Sequence, residues 1–129
     1  MLVADDDPDT RSLLFELLDQ AGYLVTLVAG GIDAMRQLSH RHFDLVLTDL
    51  QMGDLHGALV VRNIRNLWPR TPVIIVTGHP EDLMLRAALA AGAADLILKP
   101  FGREDLLLRI RDALQRAGSG IPMTEESPR

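Results

Sequence analysis

The run Val73-Ile74-Ile75-Val76 carries no polar residue, so a strand formed there must be covered on both of its faces. It gives way to Thr77-Gly78, which ends the apolar stretch. Working outward, four more such runs appear: Leu2-Val3-Ala4, Leu24-Val25-Thr26-Leu27-Val28, Leu45-Val46-Leu47 and Leu96-Ile97-Leu98. Each is followed by a helical pattern. Uniformly apolar strands alternating with helices are the signature of parallel βαβ units. Five such units are too few for an eight-stranded barrel. The spacing therefore predicts an α/β fold: a doubly wound five-stranded parallel sheet with five helices.

The first helix is expected from Pro8 to about Gln20, with Leu13, Leu14, Leu17, Leu18 and Ala21 forming the inward stripe and Gly22 stopping it. A second covers Ile32 to His40, with Ile32, Met35 and Leu38 inward. The third covers Ala58 to Leu67, with Val60, Ile64 and Leu67 on one side, closed by Pro69 and Pro72. The fourth, about Glu81 to Ala91, is alanine-rich and should pack least firmly. The fifth, Arg103 to Ala117, buries Leu106, Leu107, Ile110 and Leu114. One domain, residues 1–117, is expected, followed by a linker or disordered tail over 118–129 that is rich in Gly, Ser, Pro and charge.

Composition narrows the function classes. Of 129 residues 47% are hydrophobic and 24% charged, a globular balance with no run long enough for a membrane-spanning helix. The absence of cysteine excludes disulfides, thiolate metal sites and cysteine nucleophiles. Neither a basic start nor a long apolar stretch marks the opening residues as a secretory signal, so a cytoplasmic location is expected. A net charge of -5 with scattered arginines argues against direct nucleic-acid binding by this segment.

Open sheets bind ligands outside the carboxyl ends of their strands, beside the point where strand order reverses. Those ends carry Asp5 and Asp6, Asp49, Thr77 and Lys99, while the second strand contributes only Gly30 and Gly31. With strand order 2-1-3-4-5 the first and third strands are neighbours, and their three carboxylates converge. Like charges in one cleft repel, and a hard cation relieves them. Mg²⁺, or Mn²⁺, would take oxygens from Asp6 and Asp49, from Asp5 directly or through water, and from the backbone carbonyl of Gln51. Asp49 would then attack a phosphoryl donor, with Lys99 and the Thr77 hydroxyl on the equatorial oxygens. Taken singly each residue has a plainer reading: Asp5, Asp6, Asp7 or Asp9 as a cap beside Pro8, Asp49 as the opening of a turn, Thr77 as a strand residue, Lys99 as a solvated lysine. Capping, however, uses one Asp, and the four features fall on the same sheet edge.

The segments Leu2-Val3-Ala4-Asp5-Asp6-Asp7-Pro8-Asp9, Phe43-Asp44-Leu45-Val46-Leu47-Thr48-Asp49-Leu50, Val73-Ile74-Ile75-Val76-Thr77-Gly78, and Ala91-Gly92-Ala93-Ala94-Asp95 leading to Lys99-Pro100-Phe101 together resemble a response-regulator receiver domain over about residues 2 to 116. The resemblance implies a flavodoxin-like sheet with two helices on one face and three on the other. It implies an aspartyl-phosphate on Asp49 supplied by a histidine kinase or histidine phosphotransfer protein, metal held through Asp5, Asp6 and Asp49, and a cis Lys99-Pro100 peptide. Such a domain is not an enzyme acting on a separate substrate; it catalyses its own phosphorylation and dephosphorylation. Its readout would be a two-state shift of the face made by the fourth helix, fifth strand and fifth helix, toward an output domain, an effector protein or a homodimer partner. The family couples that shift to an aromatic three residues before the lysine, where this chain has Leu96. Gly53 stands where many relatives have proline, and Gln51 and His79 occupy positions that line the route of attacking water. His79 is assigned no catalytic role.

Three rival readings remain at this stage. A receiver fold that only binds partners, independent of phosphorylation, is opposed by the intact Asp5, Asp6, Asp49, Thr77 and Lys99. A nucleotide or flavin binder predicts a glycine-rich turn after the first strand, where Asp5-Asp6-Asp7 stands instead. A dehalogenase-type phosphatase requires its nucleophile on the first strand within a motif that is missing here.

Overall fold

The computed structural model describes residues 1–119. In chain order it contains β1 (Leu2–Ala4), α1 (Pro8–Gln20), β2 (Thr26–Val28), α2 (Gly31–His40), β3 (Val46–Thr48), α3 (Gly57–Leu67), β4 (Val73–Thr77), α4 (Met84–Ala90), β5 (Asp95–Leu98) and α5 (Arg103–Ser119). The strands form one parallel sheet in the order β2-β1-β3-β4-β5, as the convergence of carboxylates required.

Side chains alternate across a strand, so each apolar run serves both faces at once. Leu2, Ala4, Val46, Val73 and Ile75 pack with Ala34, Leu38, Val60, Val61, Ile64, Leu85 and Ala88 of α2, α3 and α4. Val3, Leu47, Ile74, Val76 and Ile97 pack with Leu14, Leu18, Leu106, Ile110 and Ala113 of α1 and α5. The division of two helices against three is the one expected. The Lys99-Pro100 peptide is cis, also as expected, and Gly22 ends α1 at a φ of 94° that suits glycine.

Helix margins differ from the sequence reading. Leu13, Ile32 and Leu67, expected inward, are 45%, 51% and 63% exposed, and Ala21 is exposed as well. A helix lying on a flat sheet touches it along a stripe narrower than the whole apolar arc, and Leu67 lies one turn beyond the last sheet contact, Ile64. Leu107 and Leu114 are accordingly only partly buried. Strand β2 starts at Thr26, not Leu24, because as an edge strand it has a neighbour on one side only, and Leu24 is 89% exposed. Helix α4 starts at Met84 instead of Glu81, where the carboxylate of Asp82 accepts the Met84 N–H at 2.8 Å. At the other end α5 continues to Ser119, past the boundary expected at Ala117. The rest of the expected tail, residues 120–129, lies outside the described residues.

One tertiary cap was not foreseen. The N-cap of α2 is Gly30, which has no side chain to satisfy the exposed N–H groups of the first turn. Asp54, from the loop between β3 and α3, accepts the Gly31 N–H at 3.0 Å and the Ile32 N–H at 3.2 Å. A Cβ on Gly30 would lie 2.6 Å from the Asp54 carboxylate, so this docking requires glycine. Burial pushes the Asp54 carboxyl up, but the N–H groups of Gly31, Ile32 and Leu55 outweigh it and hold the group below its ordinary value.

Replacing Asp54 by alanine should therefore lower unfolding stability by about 1 kcal/mol at neutral pH. Because the folded carboxyl titrates below the unfolded value of about 3.9, its contribution is complete above that pH and is lost as pH falls through the folded pKa. Urea unfolding of both proteins at neutral and acid pH measures this. An undiminished gap at the acid end would contradict the assignment.

Candidate functional site

The parallel ladder continues one residue past several strand ends, and this sets the site. The Asp5 N–H donates to Val28 O at 3.2 Å, the Asp49 N–H to Ala4 O at 2.9 Å, and the Lys99 N–H to Thr77 O at 2.8 Å. Backbone hydrogen bonding thus holds Asp5, Asp49 and Lys99 at the same sheet edge, with Thr77 as the last residue of β4. Asp7 caps α1, accepting from Thr10 N at 3.3 Å and Thr10 Oγ1 at 2.6 Å. Capping consumes this carboxylate and leaves Asp5 and Asp6 for the cleft.

The Lys99 ammonium donates to Asp5 Oδ2 at 2.9 Å and to Asp49 Oδ2 at 3.2 Å. Both carboxylates are buried, while Asp6 is exposed at the mouth. Asp5 Oδ1 accepts the Asp7 N–H, and Asp49 Oδ1 accepts the Leu50 N–H at 2.7 Å, so each buried carboxylate is hydrogen-bonded on both oxygens. Burial, and next the charge of Asp5, push the Asp49 carboxyl up against the opposing pull of Lys99. Burial also works against the Lys99 charge, but the hydrogen bond to Asp5 and the charges of Asp49 and Asp5 outweigh it and hold the ammonium above its ordinary value.

Carboxylate oxygens of Asp5, Asp6 and Asp49 lie within 4.8 Å of one another. When all are ionised, one ammonium against three carboxylates leaves two negative charges uncompensated. An all-oxygen donor set with surplus negative charge and one solvent-facing member suits a hard divalent ion that keeps some of its waters. The residues fit Mg²⁺ or Mn²⁺. The cleft above them, about 510 Å³, is lined by Asp6, Asp7, Asp49, Gln51, Met52, Gly53, Gly78, His79 and Lys99.

Thr77 is fully buried, and its Oγ1 accepts the His79 N–H at 3.0 Å, so its hydroxyl lies just behind the cleft lining. His79 is exposed and 3.4 Å from Glu81. Gln51 sits beside Asp49, its N–H 3.4 Å from Asp49 Oδ1, while its side-chain amide donates to Asp82 Oδ2 at 3.1 Å. The same Asp82 oxygen is 3.2 Å from Nε2 of His56, whose Nδ1 accepts the Ala58 N–H that opens α3. Asp82 and His56 were not singled out from the sequence, because neither stands at a strand end. Asp82 fell inside the helix expected from Glu81, and nothing in the sequence marked it as a bridging carboxylate. Gly57 was also missed: a Cβ there would collide with the Asp49 carbonyl oxygen and lie 2.8 Å from Leu50 Cα.

A family model described as the response regulator receiver domain matches residues 1–111. The transcriptional regulatory protein ZraR of Klebsiella oxytoca is 34% identical over 126 residues, covering 97% of this chain and 28% of that protein. The transcription factor SKN7 of Candida albicans is 37% identical over 106 residues, covering 82% of this chain and 19% of that protein. The crystal structure of a CheY-like response regulator receiver domain protein from Methanospirillum hungatei has a TM-score of 0.89 and 28% identity, covering 93% of this chain and 96% of that one. The chain thus spans less than a third of the curated relatives it matches.

The raised Asp49 pKa has a sign that can be checked. A carboxyl that titrates higher folded than unfolded contributes stability fully below its unfolded pKa and loses it as pH rises through the folded one. At neutral pH its ionisation therefore costs stability, and Asp49→Asn in chelator should melt at or above the wild-type temperature. Magnesium should reverse that order by stabilising the wild type more than the variant, which keeps only two of the three carboxylates, and the wild type gains about 2.7 kcal/mol at a hundred times its Kd. Calorimetry with and without magnesium tests both halves. A second substitution, Gly57→Ala, should cost about 1–3 kcal/mol in urea unfolding, because the added methyl displaces the Asp49 backbone.

Proposed function

This chain belongs to the response-regulator receiver family of two-component systems, and on that premise we propose that Asp49 accepts a phosphoryl group from a phosphohistidine on a histidine kinase or histidine phosphotransfer protein. The supporting observation is the Lys99 ammonium reaching both Asp5 and Asp49 beside the third carboxylate, Asp6. In the transfer an Asp49 oxygen attacks phosphorus, the new O–P bond forms as the donor P–N bond breaks, and the leaving imidazole keeps the electron pair. Asp5, Asp6, Asp49 and the Gln51 carbonyl would hold Mg²⁺ or Mn²⁺, which supplies charge neutralisation for the phosphoryl oxygens. Lys99, released from Asp49 Oδ2, neutralises the same oxygens, and the Thr77 hydroxyl turns from the His79 N–H to donate to one of them. The hydrolysis that returns Asp49 to its free form uses the same groups, so the domain catalyses both directions of its own modification without turning over a separate substrate.

Signalling on this reading uses the α4, β5 and α5 face. Leu83, before α4, is 91% exposed, and Leu89 of α4, Leu98 of β5 and Leu108 of α5 are also exposed, apolar side chains that an output domain, an effector protein or a second copy of the chain could cover. The net charge of -5 points away from direct contact with nucleic acid by this segment. No helix among the described residues is long and apolar enough to cross a membrane, and a cytoplasmic setting suits a kinase-dependent phosphoacceptor.

Leu96 gives one rival a specific footing. It packs against the helical core on the α4 side of the sheet and offers no aromatic ring to follow Thr77, so the domain would bind partners without phosphate control. Intact-mass measurement after incubation with acetyl phosphate and Mg²⁺ separates the two. The expected result is a single phosphoryl adduct on wild type, none on Asp49→Asn, and formation slowed on the order of 100-fold in Thr77→Ala. No Asp49-dependent adduct, even with refreshed donor or a cognate kinase, would leave the interaction module standing.

A further inference from the structure

Helix α4 is short and is anchored to the core through one narrow face. It has seven residues, of which only Leu85 and Ala88 are buried, while Leu83 and Met84 at its start are 91% and 41% exposed. The start of this helix is instead tied by polar bonds to the loop that carries the phosphoacceptor. Asp82 Oδ1 accepts the Met84 N–H at 2.8 Å, and Asp82 Oδ2 takes the Gln51 amide at 3.1 Å and His56 Nε2 at 3.2 Å. The Asp82 side chain is 11% exposed and that of His56 28%, so the contact between these two is partly shielded from water, while the Gln51 and Met84 bonds lie at the surface. His56 in turn accepts the Ala58 N–H at 3.1 Å, so a single carboxylate joins the starts of α3 and α4 to the residue two places beyond Asp49.

We propose that the Gln51–Asp82–His56 bridge is the positioning device that transmits the state of Asp49 to α4. The proposal rests on the phosphoacceptor reading and deepens it, because Leu96 cannot supply the aromatic reporter on β5. Gln51 is bonded through its N–H to Asp49 Oδ1 and through its side chain to Asp82, so any adjustment of the loop around a modified Asp49 displaces the Asp82 carboxylate. Asp82 is also the acceptor for the first helical N–H of α4, so the displacement reaches that helix at its first turn. The shift is a two-state bias of α4 in which the bridge supplies the differential contact.

The test compares wild type with Asp82→Ser and Asp82→Glu by backbone amide NMR of the full chain, before and after adding beryllofluoride with Mg²⁺. Serine retains an acceptor for the Met84 N–H but is too short to meet Gln51 and His56, so it separates capping from bridging. Glutamate keeps a carboxylate able to reach both. In all three proteins the Asp49 to Gln51 amides should respond. The response of Leu85 to Ala90 should fall by about half or more in Asp82→Ser and be largely kept in Asp82→Glu. An α4 response in Asp82→Ser equal to wild type, with Asp49 to Gln51 responding, overturns the coupling alone. Silent Asp49 to Gln51 amides in the wild type overturn the phosphoacceptor reading, and the coupling with it.

Discussion

Two buried carboxylates share one ammonium, and the candidate site depends on how that charge is shared. Lys99 reaches Asp5 and Asp49 together, yet it cannot neutralise both, and Asp6 adds further negative charge at the mouth. Such an arrangement is unfavourable as a source of stability, because burying carboxylates costs more than an incomplete set of partners returns. The sheet tolerates it because the backbone of each residue is fixed by a ladder bond that does not depend on the side chain. Strand pairing supplies the placement, and the strained electrostatics supply an affinity for cations and for groups that bring one.

The loop between β3 and α3 is the second constraint. Its first residue is Asp49, its middle supplies the Asp54 cap of α2, and its last contacts are made by His56 and Gly57. Close approach at two places demands glycine: at Gly30, where the Asp54 carboxylate fills the space of a side chain, and at Gly57, against the Asp49 carbonyl. The position of Asp49 is therefore set from both sides of the sheet edge, by β1 through the Ala4 carbonyl and by α2 and α3 through the loop.

Much of this was legible in the amino-acid sequence, and the reasons are physical. Uniformly apolar runs such as Val73-Ile74-Ile75-Val76 can only be doubly covered strands, and parallel topology then places every strand end at one edge. The candidate residues Asp5, Asp6, Asp49, Thr77 and Lys99 were read from those ends, and the structure brings them to one edge. What escaped notice lies in loops, where tertiary partners are set by three-dimensional approach and leave no periodicity. Gly30 and Gly31 looked chemically empty because their value is the side chain they lack. Asp54 caps a helix more than twenty residues away and Asp82 reaches Gln51 and His56 across the loops, and no local motif announces either contact. The exposed Leu13, Ile32 and Leu67 show a different limit: helical spacing marks an apolar arc, whereas contact with a sheet selects a narrower strip.

The separation along the chain of the residues that meet in the cleft has its own consequence. The bond between Lys99 and Asp5 joins groups 94 positions apart, so its loop closes only when β4 and β5 have docked. In chain order both acidic residues precede their cation by 50 positions or more, so each lacks that partner until the last strand is in place. The pocket is thus complete only once the edge strand β5 is paired, and detachment of that strand would take the Lys99 ammonium away from its two carboxylates.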